Sequence, residues 1–310
     1  MIIAEIKNNI KRVLVGKDQV IDLLLTALIA QGHILLEDVP GTGKTMLAKS
    51  LARSMDLQFA RIQFTPDLLP SDITGINYYN QKIGEFVLRK GPVFTQILLA
   101  DEINRATPRT QSSLLECMEE RQVTIDGESH FLNPPFFVIA TQNPIETAGT
   151  YPLPEAQLDR FFMQVSMGMP DSSEEREILD RFLQDNPYEE LKPVCGEADL
   201  LRLQKECRDI YIHPLLRDYM VALIQETRRS GKVLNGVSPR GTLALSRAAR
   251  AYAMVKGRKF VAPEDIKELA VPVLAHRLVM PGTYLAQTAA AQVIEELLDR
   301  VPVPTEDWEK

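Results

Sequence analysis

Pro40-Gly41-Thr42-Gly43-Lys44-Thr45 is the segment of this chain best suited to chemistry, because glycines, a lysine and a hydroxyl follow one another at phosphate-binding spacing. Glycines at 41 and 43 let backbone N–H groups converge on phosphate oxygens, and Lys44 can reach the β- and γ-oxygens of ATP. Thr45 offers a hydroxyl to Mg2+. The helix expected to start here, with Met46 in its first turn, presents its positive end to the same anion. The full pattern asks for glycine at position 38, where this chain has Asp38. Aspartate tolerates left-handed backbone, so the turn is expected to form with the carboxylate aimed away from the phosphates.

A second block, Ile97-Leu98-Leu99-Ala100-Asp101-Glu102, is an apolar run ending in two carboxylates. Asp101 suits the Mg2+ shell, because Mg2+ keeps most of its waters and takes few protein carboxylates. Glu102 can polarise an attacking water as general base, a group that phosphate transfer to a bound substrate would not need. A third run, FFVIATQNP, brings Gln142 and Asn143 to the same place, where Asn143 could position the water or sense the γ-phosphate.

These residues need a scaffold that gathers strand ends. Apolar runs (HILLE, LQFARIQF, TQILLAD, FFVIATQ, FFMQVSM) alternate with helical patterns (KTMLAKSLARSM, RTQSSLLECMEE), which implies a parallel sheet covered on both faces. Ahead of them, VLVGKDQVIDLLLTALIAQG carries Val20, Leu23, Leu24, Ala27 and Leu28 at helical spacing. Two stretches break the alternation and predict hairpin insertions: residues 76–90, turning at Gly84, and 121–132, turning at Asp126-Gly127. Composition shifts near Met169-Pro170-Asp171, where Ser172 and Glu175 suggest a capping box, and only helical patterns follow. Residues 1–170 are therefore read as an α/β core and 171–310 as a small all-α domain.

With 35 basic and 42 acidic residues the formal charge is -7, which argues against a broad electrostatic grip on nucleic acid. Cys117, Cys195 and Cys207 form no close pair, and His33, His130, His213 and His276 lack ligand spacing, so satisfied structural histidines are expected. MIIAEIKNNIKR lacks the marks of a secretory leader, and no apolar run spans a membrane, which predicts a cytoplasmic protein without membrane insertion.

EDVPGTGKT, LLADEINRATPRTQSSLLECMEERQVTIDG, ATQNPIETAGTYPLPEAQLDRFF and SPRG, in this order along nearly the whole chain, resemble the MoxR family of AAA+ ATPases. The resemblance implies a parallel five-stranded αβα P-loop core with hairpin insertions, a helical lid, and hexameric rings with ATP at subunit interfaces. It implies that Arg160 is the arginine finger reaching a neighbour's γ-phosphate, that Arg240 is the sensor-2 arginine of the lid, and that Gly16 lies beside the adenine. Arg240 would sit in a first helical turn, where the helix dipole disfavours a cation unless an anion offsets it. Without the family, an ion pair of Arg160 with Asp159 or Glu155 is the plainer reading, and Arg105 and Arg109 read as solvated or interface charges.

The leading functional expectation is a chaperone-like motor that hydrolyses ATP with Mg2+ to remodel or mature a protein client, acting with a von Willebrand factor A-domain partner. An MCM-like nucleic-acid motor shares the hairpins but predicts basic tips; Asp126, Glu128 and Glu85 oppose it, and Lys82 and Arg89-Lys90 favour it. A slow-turnover, nucleotide-gated scaffold is the third reading.

Overall fold

The computed structural model describes residues 2–144, 149–183, 186–282 and 286–304. The expected domain limits at 1 and 310, and residues 145–148 of the third family block, lie outside them. In chain order the strands are β1 (Ile34–Glu37), β2 (Phe59–Gln63), β3 (Gly75–Asn80), β4 (Glu85–Lys90), β5 (Ile97–Asp101), β6 (Gln122–Ile125), β7 (Glu128–Phe131), β8 (Phe137–Gln142) and β9 (Met163–Val165). The helices are α1 (Ile2–Lys11), α2 (Asp18–Ile29), α3 (Lys44–Ser54), α4 (Pro70–Thr74), α5 (Pro108–Glu120), α6 (Glu155–Leu158), α7 (Ser172–Phe182), α8 (Glu197–Glu206), α9 (Pro214–Arg229), α10 (Pro239–Val255), α11 (Pro263–Leu274) and α12 (Ala286–Arg300).

Five strands form a parallel sheet in the order β2-β5-β8-β1-β9. Every residue of β5 is buried, as expected of a strand covered on both sides. The two-residue period sorts side chains between two apolar clusters. Ile34, Leu36, Ile97, Leu99, Phe137 and Ile139 face α1, α2, α3 and the C-terminal helices. Leu35, Leu98, Ala100, Val138 and Ala140 face α5, β6 and Phe64 on the other side. The first cluster runs without a break from the sheet into α10 and α11, so the N-terminal helices and the C-terminal helical part share one core. The buried Asp22 carboxylate of α2 reinforces this by pairing with Lys7 of α1 and, at 3.1 Å, with Lys256 at the end of α10.

Both hairpins form where the turn residues place them. Asp126 and Gly127 take positive φ, as a tight two-residue turn requires, and so does Gly84. Asn77 Nδ2 donates to Asp126 Oδ2 at 2.9 Å, joining the two insertions. One sequence reading is corrected and two helices, α4 and α8, were not read from the sequence. The capping box of α7 lies one residue earlier than expected: Asp171, whose carboxylate accepts from the N–H groups of Ser173 and Glu174, replaces Ser172, and Glu174 replaces Glu175. Helix α4 begins in TPDLLPSD, a stretch given no element from the sequence; Pro70 opens it and Asp72 caps it through the Leu69 N–H. Helix α8 went unread because few apolar residues, chiefly Leu200 and Leu203, seat it.

Candidate nucleotide site

The loop after β1 opens the site. Gly41 and Gly43 have φ of +89° and +92°, left-handed values that favour glycine, and Gly43 is the N-cap of α3. The first-turn N–H groups of Lys44, Thr45 and Met46 are therefore left for a ligand at the positive helix end. Pro40 and Gly41 are exposed, Thr42 is buried, and nothing stands where a Cβ on Gly41 would be. On the other flank, a Cβ on Gly43 would meet Leu14 at 3.5 Å and Met167 at 4.0 Å. Gly16 itself has φ of +68° and faces Glu174 of α7, which brings the Leu14–Gly16 segment beside the loop.

Asp38 departs from the sequence expectation in mechanism. It does not adopt left-handed backbone. Its carboxylate instead accepts from Ser166 Oγ (2.7 Å), Met167 N (2.5 Å) and Gly168 N (3.2 Å), so it points away from the loop and ties its base to the chain leaving β9. The Asp38 carbonyl accepts from Lys44 Nζ at 2.8 Å.

The carboxylates arrive on the neighbouring strands. Asp101 is buried at the end of β5, with Oδ1 accepting from Thr141 Oγ1 (2.6 Å) and Oδ2 from Arg61 (2.7 Å). Glu102 has φ 56° and ψ 50°, a left-handed conformation that costs a non-glycine residue about 1–3 kcal/mol. Its N–H donates to Thr141 Oγ1 at 2.9 Å, and its Oε2 accepts from Gln63 (2.9 Å) and pairs with Arg105 (2.9 Å). Arg105, expected to be a solvated or interface charge, thus touches Glu102; Arg109 is exposed. Asn143 follows β8 half-buried, and its carbonyl accepts from Asn104 at 3.5 Å. Lys44 unites the set: desolvation lowers its pKa, while Asp38, Asp101 and Glu102 raise it through their charges. For Mg2+, an ion that keeps its waters and takes one or two protein oxygens, the Thr45 hydroxyl and the Asp101 carboxylate are hard donors of the right kind, and the residues present fit it.

Arg160 and Arg240 lie elsewhere. Met163 pairs with Ile34 at the amino ends of β9 and β1, and Arg160 precedes Met163, so it sits at the sheet edge opposite the loop that follows Glu37. Its Nε pairs with Glu119 of α5 at 3.3 Å, a partner different from the Asp159 or Glu155 that the sequence suggested. Arg240 donates to the other oxygen of Glu119 at 2.5 Å and lies 3.9 Å from Asp159, so the anion offsetting the helix dipole within one chain is Glu119. Ser238 is the N-cap of α10, but its hydroxyl is buried with no partner among the described residues. Arg277 reinforces this edge by donating to Asp159 Oδ1 (2.8 Å) and Phe161 O (2.6 Å); burial pushes its pKa down to about 10.

The histidines are satisfied only in part. His33 meets Met118 O and the Val138 N–H, His213 caps α9 and His276 Nε2 meets Phe161 O, but among the described residues the buried His130 Nε2 has no hydrogen-bond partner. The sequence also missed Arg61, Gln63, Thr141 and Glu119. Only Arg61 and Gln63 left a trace, as polar residues two apart and therefore on one face of β2.

A parallel sheet with a phosphate-binding loop after its first strand, and an Asp-Glu pair after its neighbour, defines a P-loop ATPase with an attached helical part. Residues 33–163 match the model of the ATPase family associated with various cellular activities (AAA), and residues 225–297 match the AAA lid domain. The chain is 44% identical to Chaperone MoxR1 of Mycobacterium tuberculosis over 96% of its length and 81% of that protein's. It is 49% identical to the uncharacterized protein YeaC of Bacillus subtilis, covering 96% of this chain and 93% of that one. A crystal structure of a putative ATPase from Cytophaga hutchinsonii superposes with a TM-score of 0.90 at 41% identity, covering 98% of this chain and 95% of that one. The chain belongs to the MoxR family of AAA+ ATPases. Among the described residues no helix is long and apolar enough to cross a membrane.

Proposed function

We propose that this chain hydrolyses ATP at an interface between two of its own copies. A core at 1–170 would hold the nucleotide and a lid at 171–310 would couple turnover to a protein client. The observation that carries the reading is the convergence of Lys44, Asp101 and Glu102 on one sheet edge, with Lys44 in the field of both carboxylates. The loop N–H groups and Lys44 bind and orient the triphosphate, and Gly16 borders the base. Thr45 and Asp101 would hold Mg2+, whose charge neutralises the phosphate oxygens when bound. Glu102 accepts the proton of the attacking water, and Asn143 positions that water.

Arg160 and Arg240 sit at the opposite sheet edge and share Glu119. That placement supports both serving a neighbour's γ-phosphate. An arginine finger supplies roughly 10³ to 10⁵ in rate. A ring of copies, hexameric as in the family, lets every loop receive a neighbour's finger. The acidic net charge and hairpin turn favour a protein client over nucleic acid, with a von Willebrand factor A-domain protein as partner and the cytoplasm as setting. The slow-turnover scaffold draws on one observation: Gln63 and Arg105 hold Glu102, so water activation requires that grip to loosen.

The test mixes two inactive proteins, Lys44→Ala and Arg160→Ala, after subunit exchange is demonstrated. Recovery of phosphate release supports a finger acting in trans, because a mixed interface pairs an intact loop with an intact arginine. No recovery in exchanged assemblies removes the shared-site reading. Equal slow release by wild type and Glu102→Gln would establish the scaffold instead.

A further inference from the structure

At the amino-terminal edge of the sheet, remote from the phosphate-binding loop, Arg121, Arg208, Arg247 and Arg250 line a cavity of about 350 Å3. They come from three parts of the chain: the residue closing α5, the turn after α8, and two positions one helical turn apart on α10, Arg247 exposed and Arg250 half-buried. Among the described residues no carboxylate lines the cavity. The nearby Glu206 pairs with Arg202, and Glu120 and Asp209 are exposed outside the lining. In a chain of net charge -7, four guanidinium groups gathered without an acid demand an explanation.

Part of the explanation is structural. Arg121 donates to the Gln31 carbonyl (2.8 Å) and Arg247 to the Ala30 carbonyl (2.9 Å), so both close the C-terminal end of α2. A helix C-terminus carries only about half a negative charge, which leaves most of the positive charge uncompensated. Arg250 and Arg208 have no such role: neither has a hydrogen bond or ion pair among the described residues, and the Nε of Arg250 is buried without a partner. Cys207, also in the lining, supplies no charge, since burial pushes its thiol up to about 11 despite the three neighbouring arginines. Burial lowers the pKa of Arg121 and of Arg247, and Arg121 lowers that of Arg247 further.

We propose that this cavity binds a compact polyvalent phosphate, of the diphosphate class, at a site separate from the ATP loop. Planar guanidinium forks match phosphate oxygens two at a time. A cavity of about 350 Å3 is larger than one phosphate needs and falls at the small end of ligand sites. A diphosphate brings about three negative charges in one compact unit, whereas a single carboxylate group brings one. The site borders α2 and α10, whose packing joins the N-terminal helices to the lid, so occupancy would stiffen that junction. It does not depend on the proposed hydrolysis.

The test uses inorganic pyrophosphate on the full-length Lys44→Ala protein, in which the loop is disabled, read by calorimetry and by melting temperature. Binding of one pyrophosphate per chain is expected, weakened about tenfold or more by Arg208→Ala and by Arg250→Gln. Without pyrophosphate, Arg250→Gln should melt no lower than its parent, because removing an unpartnered, repelled charge relieves the cluster. Should Arg250→Gln fail to fold, the exposed Arg208→Ala decides alone. No binding in the Lys44→Ala background, or binding that Arg208→Ala leaves intact, would overturn the site. An equal response to citrate would overturn its assignment to phosphate.

Discussion

At the carboxyl ends of the parallel strands stand a glycine loop, a lysine and two carboxylates; at the amino ends stand arginines and neutral histidines. The first edge carries the groups proposed to bind a triphosphate and activate water, but among the described residues its arginines, Arg61 and Arg105, are engaged by Asp101 and Glu102. The second edge has cations to spare, with Arg160 and Arg240 held on one glutamate. A single copy separates by the length of the strands what, on the proposed reading, a pair of copies would bring together. The difference teaches that the division of labour is set by strand direction, because a parallel sheet sends every strand end of one kind to the same edge.

Arg160→Ala is the sharpest way to break this comparison. Turnover in assembled protein should fall roughly 10³- to 10⁵-fold while ATP affinity, measured by calorimetry, stays within a few-fold. Glu102→Gln should come next, lowering phosphate release about 10²- to 10⁴-fold with nucleotide binding retained. Lys44→Ala should weaken ATP binding by about 1.5–3 kcal/mol or more, the range for hydrogen bonds to charged groups. An Arg160 variant that loses binding, or a Lys44 variant that keeps it, would mean the two edges have been assigned the wrong way round.

Two smaller effects concern the amino-terminal edge alone. Burial holds the pKa of His33 down at about 3 and that of His276 well below its ordinary value. The unfolded chain therefore binds more protons than the folded one below about pH 6.5, and stability should decline as pH falls through that window, by up to about 1.4 kcal/mol per pH unit for each histidine. Melting temperature against pH, compared between wild type and His33→Gln, checks this; a slope unchanged in the variant would place the acid-sensitive group elsewhere. Glu119→Gln should move stability by under about 1 kcal/mol, since its ion pairs are half-exposed.

The loop, the Asp-Glu pair and both hairpins were legible because each is local: strand, turn and motif lie within sixteen residues even in the longer hairpin, Gly75 to Lys90, and the sheet merely stacks their ends. The contacts that hold those residues were not. Thr141 reaches Asp101 across 40 residues, Asp38 reaches Met167 across 129, and Arg240 reaches Glu119 across 121. No spacing rule connects such pairs, because their proximity follows from strand order and lid placement. Asp38 is the instructive case. Its tolerance of left-handed backbone suggested a turn residue, whereas its carboxylate serves as an acceptor for chain arriving from β9.

The shared core of α2 and α10 has a bearing on how the chain is made. Lys256 meets Asp22 across 234 residues, and Ile21, Leu24, Leu25 and Leu28 rest in the same cluster as the C-terminal helices. A ribosome adding about 5–20 residues per second needs on the order of ten to fifty seconds to deliver that partner. Throughout that interval the nascent polypeptide carries an apolar ridge awaiting its mate, and until α10 has been added α2 cannot reach its final packing.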